Sequence, residues 1–150
     1  MTSALLEELG KLEDPLLIHA AIADAERSKV RAACARHPAH LLARVACVDT
    51  QSGEDFRFHL DPDGVTGWEW QRDLLDWWIE SDKTVVLKAR QLGITWLAAG
   101  YALWHLLYRP GTRVLAVSIN ETEAAKLVRR VWVQYQSLPT WLRNGVTVVK

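Results

Sequence analysis

A chain of 150 residues with 49% hydrophobic content is long enough for one compact domain with a real core, and it carries no low-complexity stretch, heptad pattern or solenoid-length repeat. No apolar run is long enough to span a bilayer and no basic–apolar–small-residue leader opens the chain, so a soluble, cytoplasmic protein is expected. The formal net charge of zero conceals an asymmetry. Residues 1–82 hold 8 Lys/Arg against 16 Asp/Glu, residues 83–150 hold 10 against 2, and no acid occurs from Lys83 to Asn120. A half with that bias suits polyanions such as a nucleotide or a DNA backbone; the alternative is that it packs against the acidic half. Cys34 and Cys47 form no CxxC pair and no disulfide framework, as expected of a reducing compartment.

Residues 2–36 predict two helices. Leu5, Leu6, Leu9 and Leu12 fall at helical spacing, and Asp14-Pro15 then opens a second helix with Ile18, Ala21, Ile22 and Ala25 as its stripe. Residues 1–42 are therefore expected to be a helical appendage to a domain at 43–150. Cys34, His37 and His40 are metal-ligand types at borderline spacing, but His37-Pro38 reads better as a helix stop than as part of a zinc site. Residues 43–48 and 56–60 flank a turn containing Gly53 and predict a β-hairpin, with Asp49 a turn residue. After the turn Asp61-Pro62-Asp63-Gly64, residues 68–80 predict an amphipathic helix with Trp70, Leu74, Trp77 and Trp78 inward and Gln71 near its start.

Thr84 to Leu87 is a short, β-branched apolar run that predicts a buried strand. A loop follows, Lys88-Ala89-Arg90-Gln91-Leu92-Gly93-Ile94-Thr95, and then a helix from Trp96 to Tyr108. Strand, glycine-bearing loop, hydroxyl residue and helix is the layout of a phosphate-binding loop. The amides at a helix start and the positive end of its dipole hold an anion. Gly93 lets the backbone approach a phosphate, and Thr95 offers a hydroxyl to Mg²⁺. The pattern departs from G-x-x-x-x-G-K-[ST], with Lys88 in place of the first glycine and Ile94 in place of the lysine. Lys88 can still reach across the loop from the strand end to the β/γ-phosphates, and Arg90 adds a cation suited to bidentate phosphate contact. An ordinary strand–turn–helix with solvated cations is the competing explanation.

Residues 108–112 end that helix, and residues 113–118 predict a second buried strand. Asn120 caps a helix over about 121–136, whose Lys126, Arg129 and Arg130 form a basic face. That face is either solvated or a contact for DNA backbone or a neighbouring subunit. Strand–helix–strand–helix with short links predicts a parallel sheet with a right-handed crossover. The eight tryptophans fall mostly on apolar faces and are expected in the core.

The segment Lys88-Ala89-Arg90-Gln91-Leu92-Gly93-Ile94-Thr95-Trp96 resembles the deviant Walker A motif of the large subunit of tailed-phage terminases, in which the lysine stands at the front of the loop. The hairpin, proline turn and helix bearing Gln71 resemble that family's adenine-recognition segment. Residues 118–125 and Leu138-Pro139-Thr140-Trp141-Leu142 resemble its later pieces, so the likeness covers residues 43–150. It implies an α/β fold, an incomplete P-loop NTPase-type parallel sheet preceded by a helical N-terminal segment and a β-hairpin. It also implies ATP and Mg²⁺ as cofactors. Gln71 would read the adenine through its amide, and Lys88 would hold the β/γ-phosphates. Ala89, Gln91 and Leu92 would complete a loop whose Gly93 and Ile94 amides cradle those phosphates. Thr95 would help hold Mg²⁺, and Arg90 would stabilise transition-state charge or couple to motion. The implied partners are double-stranded DNA, a portal protein, a small terminase subunit and further copies of the chain, in the host cytoplasm. Hydrolysis would drive DNA into procapsids.

Such an ATPase needs a later strand ending Asp-Glu, to order Mg²⁺ and polarise water, but the only acids after Thr95 are Glu121 and Glu123. The carboxylates of a nuclease domain are missing as well. The expectation is the N-terminal part of a longer protein, cut before Walker B and nearly inactive alone. Two alternatives stand: a helicase-like P-loop ATPase, and a non-catalytic module that binds DNA or protein through its basic half.

Overall fold

Proline sets the first two boundaries of the computed structural model, which describes residues 15–48, 52–58, 60 and 69–143. Helix α1 (Pro15–Arg36) starts on a proline, where the missing N–H costs nothing because first-turn amides have no partner within the helix. The expected helix over Leu5–Leu12 and the cap Asp14 lie outside the described residues. Pro38 disfavours helical backbone at the residue before it, and His37 accordingly stands extended (φ −147°, ψ 134°) and ends α1. Helix α2 (Pro38–Leu42) follows at once. Its cap is the His37 ring, whose Nδ1 accepts from the Ala39 amide at 3.1 Å. With Nδ1 accepting, Nε2 carries the proton and donates to Asp76 Oδ1 at 2.7 Å. The proposed helix stop is thus also a cap and a tie. The chain divides into two compact units, 1–33 and 34–150, and the candidate site lies wholly in the second.

The expected hairpin is present but short. Strand β1 (Cys47–Val48) pairs antiparallel with β2 (Asp55–Phe56), Cys47 opposite Phe56 and Val48 opposite Asp55. Gly53 takes φ 75° in the connection. Asp49 and the turn at 61–64 lie outside the described residues. Helix α3 (Glu69–Glu80) buries Gln71, Leu74 and Leu75. Trp77, expected inward, is instead 61% exposed. It falls about 120° around the helix from Gln71, off the stripe that Leu74, Leu75 and Trp78 share.

Helix α4 (Ile94–Tyr108) is apolar almost throughout, as a central helix must be, and buries Trp96, Leu97, Ala99, Gly100, Leu103 and Trp104. Gly100 lets α2 cross closely, because a Cβ there would lie 2.8 Å from Leu42 Cγ. Trp104 is buried and donates from Nε1 to the Cys34 carbonyl at 2.7 Å. Helix α5 (Glu121–Ser137) packs along α4. As expected, Asn120 caps it, its side chain accepting from the Glu123 amide at 2.9 Å. A 3₁₀ turn (Thr140–Leu142) closes the described chain.

The described residues are therefore mostly helical, with one small antiparallel pair. Residues 83–89 and 112–118 carry no ladder, so the expected parallel pairing of 84–87 with 113–118 is not among the described structure. Val85 and Leu87 are fully exposed, and Leu115 is 87% exposed. A parallel strand is stable only with neighbours on its edges and cover on both faces, and these two runs have neither here. Among the described residues no helix is long and apolar enough to cross a membrane.

Candidate phosphate-binding loop

The loop between α3 and α4 carries the one non-glycine residue at positive φ among the described residues. Gln91 stands at φ 65° and Gly93 at φ 71°, and Leu92 between them is not at positive φ. Left-handed backbone at a non-glycine residue costs about 1–2 kcal/mol, so Gln91 carries local strain in this loop. Successive amides in turns that carry left-handed residues build concavities that bind anions. Gly93 is also the N-cap of α4, and it offers no side-chain cap to that helix. The first helical hydrogen bond returns from the Leu97 amide to the Gly93 carbonyl at 2.9 Å. The amides of Ile94, Thr95 and Trp96 therefore head a 15-residue helix without a side-chain acceptor. An anion is the ordinary complement of such an end.

Gln71 reaches this loop. It is buried to 4% exposure, and its Nε2 donates to the Leu92 carbonyl at 3.2 Å. A Cβ on Gly93 would lie 3.5 Å from the same nitrogen. The structure thus brings together two features the sequence separates by more than twenty positions. One hydrogen of the amide is spent on the loop; the second hydrogen and Oε1 remain for other partners. Lys88, Ala89, Arg90 and Gln91 are exposed, while Leu92, Gly93, Ile94 and Thr95 are half-buried. Neither Lys88 nor Arg90 is drawn onto Thr95 by a described contact. Thr95 and Glu121 both line an otherwise apolar cleft of about 720 Å³ between α4, α5 and residues 114–117.

Two supporting residues were given no role by the sequence. Gln134 of α5 is fully buried, and its Nε2 donates to the Trp96 carbonyl at 2.9 Å and to Cys47 Sγ at 3.3 Å. It ties β1 and α5 to the first turn of α4. The signal was available: Leu127, Val131, Gln134 and Leu138 repeat at helical spacing, and a glutamine on an apolar stripe must find partners inside. Trp96 is the second. Its ring meets Phe56 edge-on at 6.3 Å, and the Arg130 guanidinium lies 5.5 Å from its centroid.

The cysteines are not nucleophiles in this setting. Burial pushes the Cys47 thiol up to about 11, the Gln134 hydrogen bond opposing only in part. Burial likewise raises Cys34, against lowering by Arg44 and Tyr108. Both stay protonated at neutral pH.

The uncapped helix start and the left-handed loop fit a phosphate, and a first-turn threonine hydroxyl fits the Mg²⁺ that accompanies one. No protein-family model, curated protein or solved structure matches this chain, so its chemistry is read from its own residues.

Proposed function

We propose that this chain is the ATP-binding part of a viral DNA-packaging motor of the terminase large-subunit type. The observation that carries the reading is the loop from Lys88 to Thr95. It enters an uncapped 15-residue helix through left-handed Gln91 and Gly93, with the buried Gln71 amide joined to Leu92. On this reading the amides of Gly93 and Ile94 cradle the β/γ-phosphates, and Lys88 neutralises them from the front of the loop. Arg90 meets charge that develops on the transferred group. Gln71 reads the adenine with the amide atoms that Leu92 leaves free. Mg²⁺, held in part by the Thr95 hydroxyl, would supply charge neutralisation between the phosphates.

The reading also gives residues 84–87 and 113–118 a role as neighbouring strands of a parallel P-loop sheet. The exposed side chains of Val85, Leu87, Leu115, Val117 and Ile119 are the apolar surface such a sheet would cover. Double-stranded DNA, a portal, a small subunit and further copies belong to the same proposal, as do the host cytoplasm and a coupling of hydrolysis to DNA translocation. A helicase-like P-loop ATPase shares the loop chemistry and parts from this reading only in what is moved.

The test is Mg²⁺-dependent binding of ATP by equilibrium dialysis, comparing the chain with Lys88→Ala. Loss of a charge-assisted phosphate contact should weaken binding roughly tenfold or more, at about 1.5–3 kcal/mol. Equal binding by the variant would remove Lys88 from the site. No saturable binding by either protein would favour a non-catalytic module that acts through its basic half.

A further inference from the structure

We infer that the junction of α2 with the start of α3 is a binding site for a small, doubly charged oxyanion of the phosphate type, held by Arg44, Arg72 and His40. The two helices pack together, and His37 ties them through the 2.7 Å hydrogen bond from Nε2 to Asp76. The His40 ring stands edge-on to that of His37 at 6.3 Å. Arg72 lies on the same face of α3 as Asp76, one turn earlier. Arg44 folds back along the end of α2, its Nη1 donating to the His40 carbonyl. Arg57 reaches the same stretch, its Nη1 donating to the Arg44 carbonyl at 3.4 Å. Cations from three separate stretches of chain are thus gathered around the end of α2.

Their counter-charge is missing from the described residues. No carboxylate there forms an ion pair with Arg44, Arg57 or Arg72, and Asp76 is bound by His37. Arg72 Nη1 is closed off from solvent and has no hydrogen-bond partner. A buried guanidinium N–H without an acceptor is costly, and an anion is its ordinary complement. The chemistry of that anion follows from the set. Arginine forks match phosphate-type oxygens in paired contacts. Several guanidinium groups without a paired acid favour two negative charges over the single charge of a carboxylate. Arg44 and Arg72 are half-buried, which admits a small ion and not a polymer backbone. His40 adds a pH dependence. Burial, and then the charges of His37, Arg72, Arg44 and Arg36, hold it below its ordinary value of 6.5. Helix α4, which also packs on α2, adds no charge to that set. An anion offsets the cations, so binding draws a proton onto His40 and tightens as pH falls. The site is built from other residues than the loop at Gly93 and does not rest on the nucleotide reading.

The experiment is an NMR titration of the ¹⁵N-labelled chain with inorganic phosphate, following the amides of His40, Arg44 and Arg72. These should shift saturably, and acetate should bind far more weakly. Arg72→Met, which keeps an apolar stem of similar length, should weaken phosphate binding about tenfold, the loss of one charge-assisted contact. If that variant fails to fold, Arg44→Met carries the same expectation. Arg113→Ala, a cation outside the cluster, and Lys88→Ala, in the nucleotide loop, should bind as the parent does at this site. Sulfate keeps its charge from about pH 8 to about pH 5, where a histidine titrates. Its binding should tighten by up to about tenfold over that fall in pH, and His40→Gln should remove most of the effect. No saturable shift at these amides, shifts confined to Gly93, Ile94 and Thr95, or equal affinity in Arg72→Met would overturn the assignment.

Discussion

Gln71 gives one amide hydrogen to the Leu92 carbonyl, and by that bond a side chain of one helix steadies the loop at the foot of another. The carbonyl it satisfies belongs to a loop whose next residue is left-handed, so the bond opposes relaxation of a strained turn. Gln71→Ala should destabilise the protein by about 1–3 kcal/mol, the cost of a buried polar group without its partner. Chemical denaturation checks this; a loss below a few tenths of a kcal/mol would mean that water replaces the amide freely. Cys47 makes a pH prediction. Its folded value, about 11, lies above the ordinary thiol value of 9.0, so the unfolded chain releases its proton first as pH rises. Its contribution is therefore fully present below pH 9.0 and lost by about 11. Two units correspond to about 2.7 kcal/mol as an order of magnitude. Cys47→Ala should flatten stability between those limits, measured as denaturation midpoints against pH.

Among the elements, those with purely local causes were the legible ones. Asn120 announced the start of α5, Pro38 the end of α1, and Gly53 the hairpin connection, because caps, pre-proline backbone and left-handed turns act within a few residues. The inward set of α3 was legible in part. Leu74 was named, but Trp77 faces solvent and Leu75 replaces it, a matter of angle rather than composition. The runs 84–87 and 113–118 were expected as buried strands and carry no ladder, because pairing is decided by neighbours far along the chain. Gly100 was equally silent in the sequence. It permits the close crossing of α2 on α4, and Gly100→Ala should set overpacking of about 1–3 kcal/mol against a helix-propensity gain of about 1 kcal/mol. Thermal unfolding should show a net loss of up to about 2 kcal/mol; a rise in melting temperature would mean that Leu42 yields without cost.

For the whole molecule, charge and apolar exposure point the same way. The basic half contains the loop, α4 and α5, and the proposed phosphate site lies in it at the uncapped start of α4. The exposed Val85, Leu87, Leu115 and Val117 lie in that half too, and they are the apolar surface that the proposed parallel sheet would cover. Of the candidate site, the glycine-bearing loop ahead of an apolar helix was legible from residues 88–108, although its pattern departs from G-x-x-x-x-G-K-[ST]. The meeting of Gln71 with Leu92 and the Gln134 tie were not, since they depend on which helices cross. The most direct test of the central claim is a titration of the ¹⁵N-labelled chain with ATP and Mg²⁺, following backbone and side-chain amides by NMR. The account predicts saturable shifts confined to Gly93, Ile94, Thr95 and the Gln71 side chain, absent in Lys88→Ala. Shifts scattered over the basic surface, without saturation and equal in the variant, would contradict it.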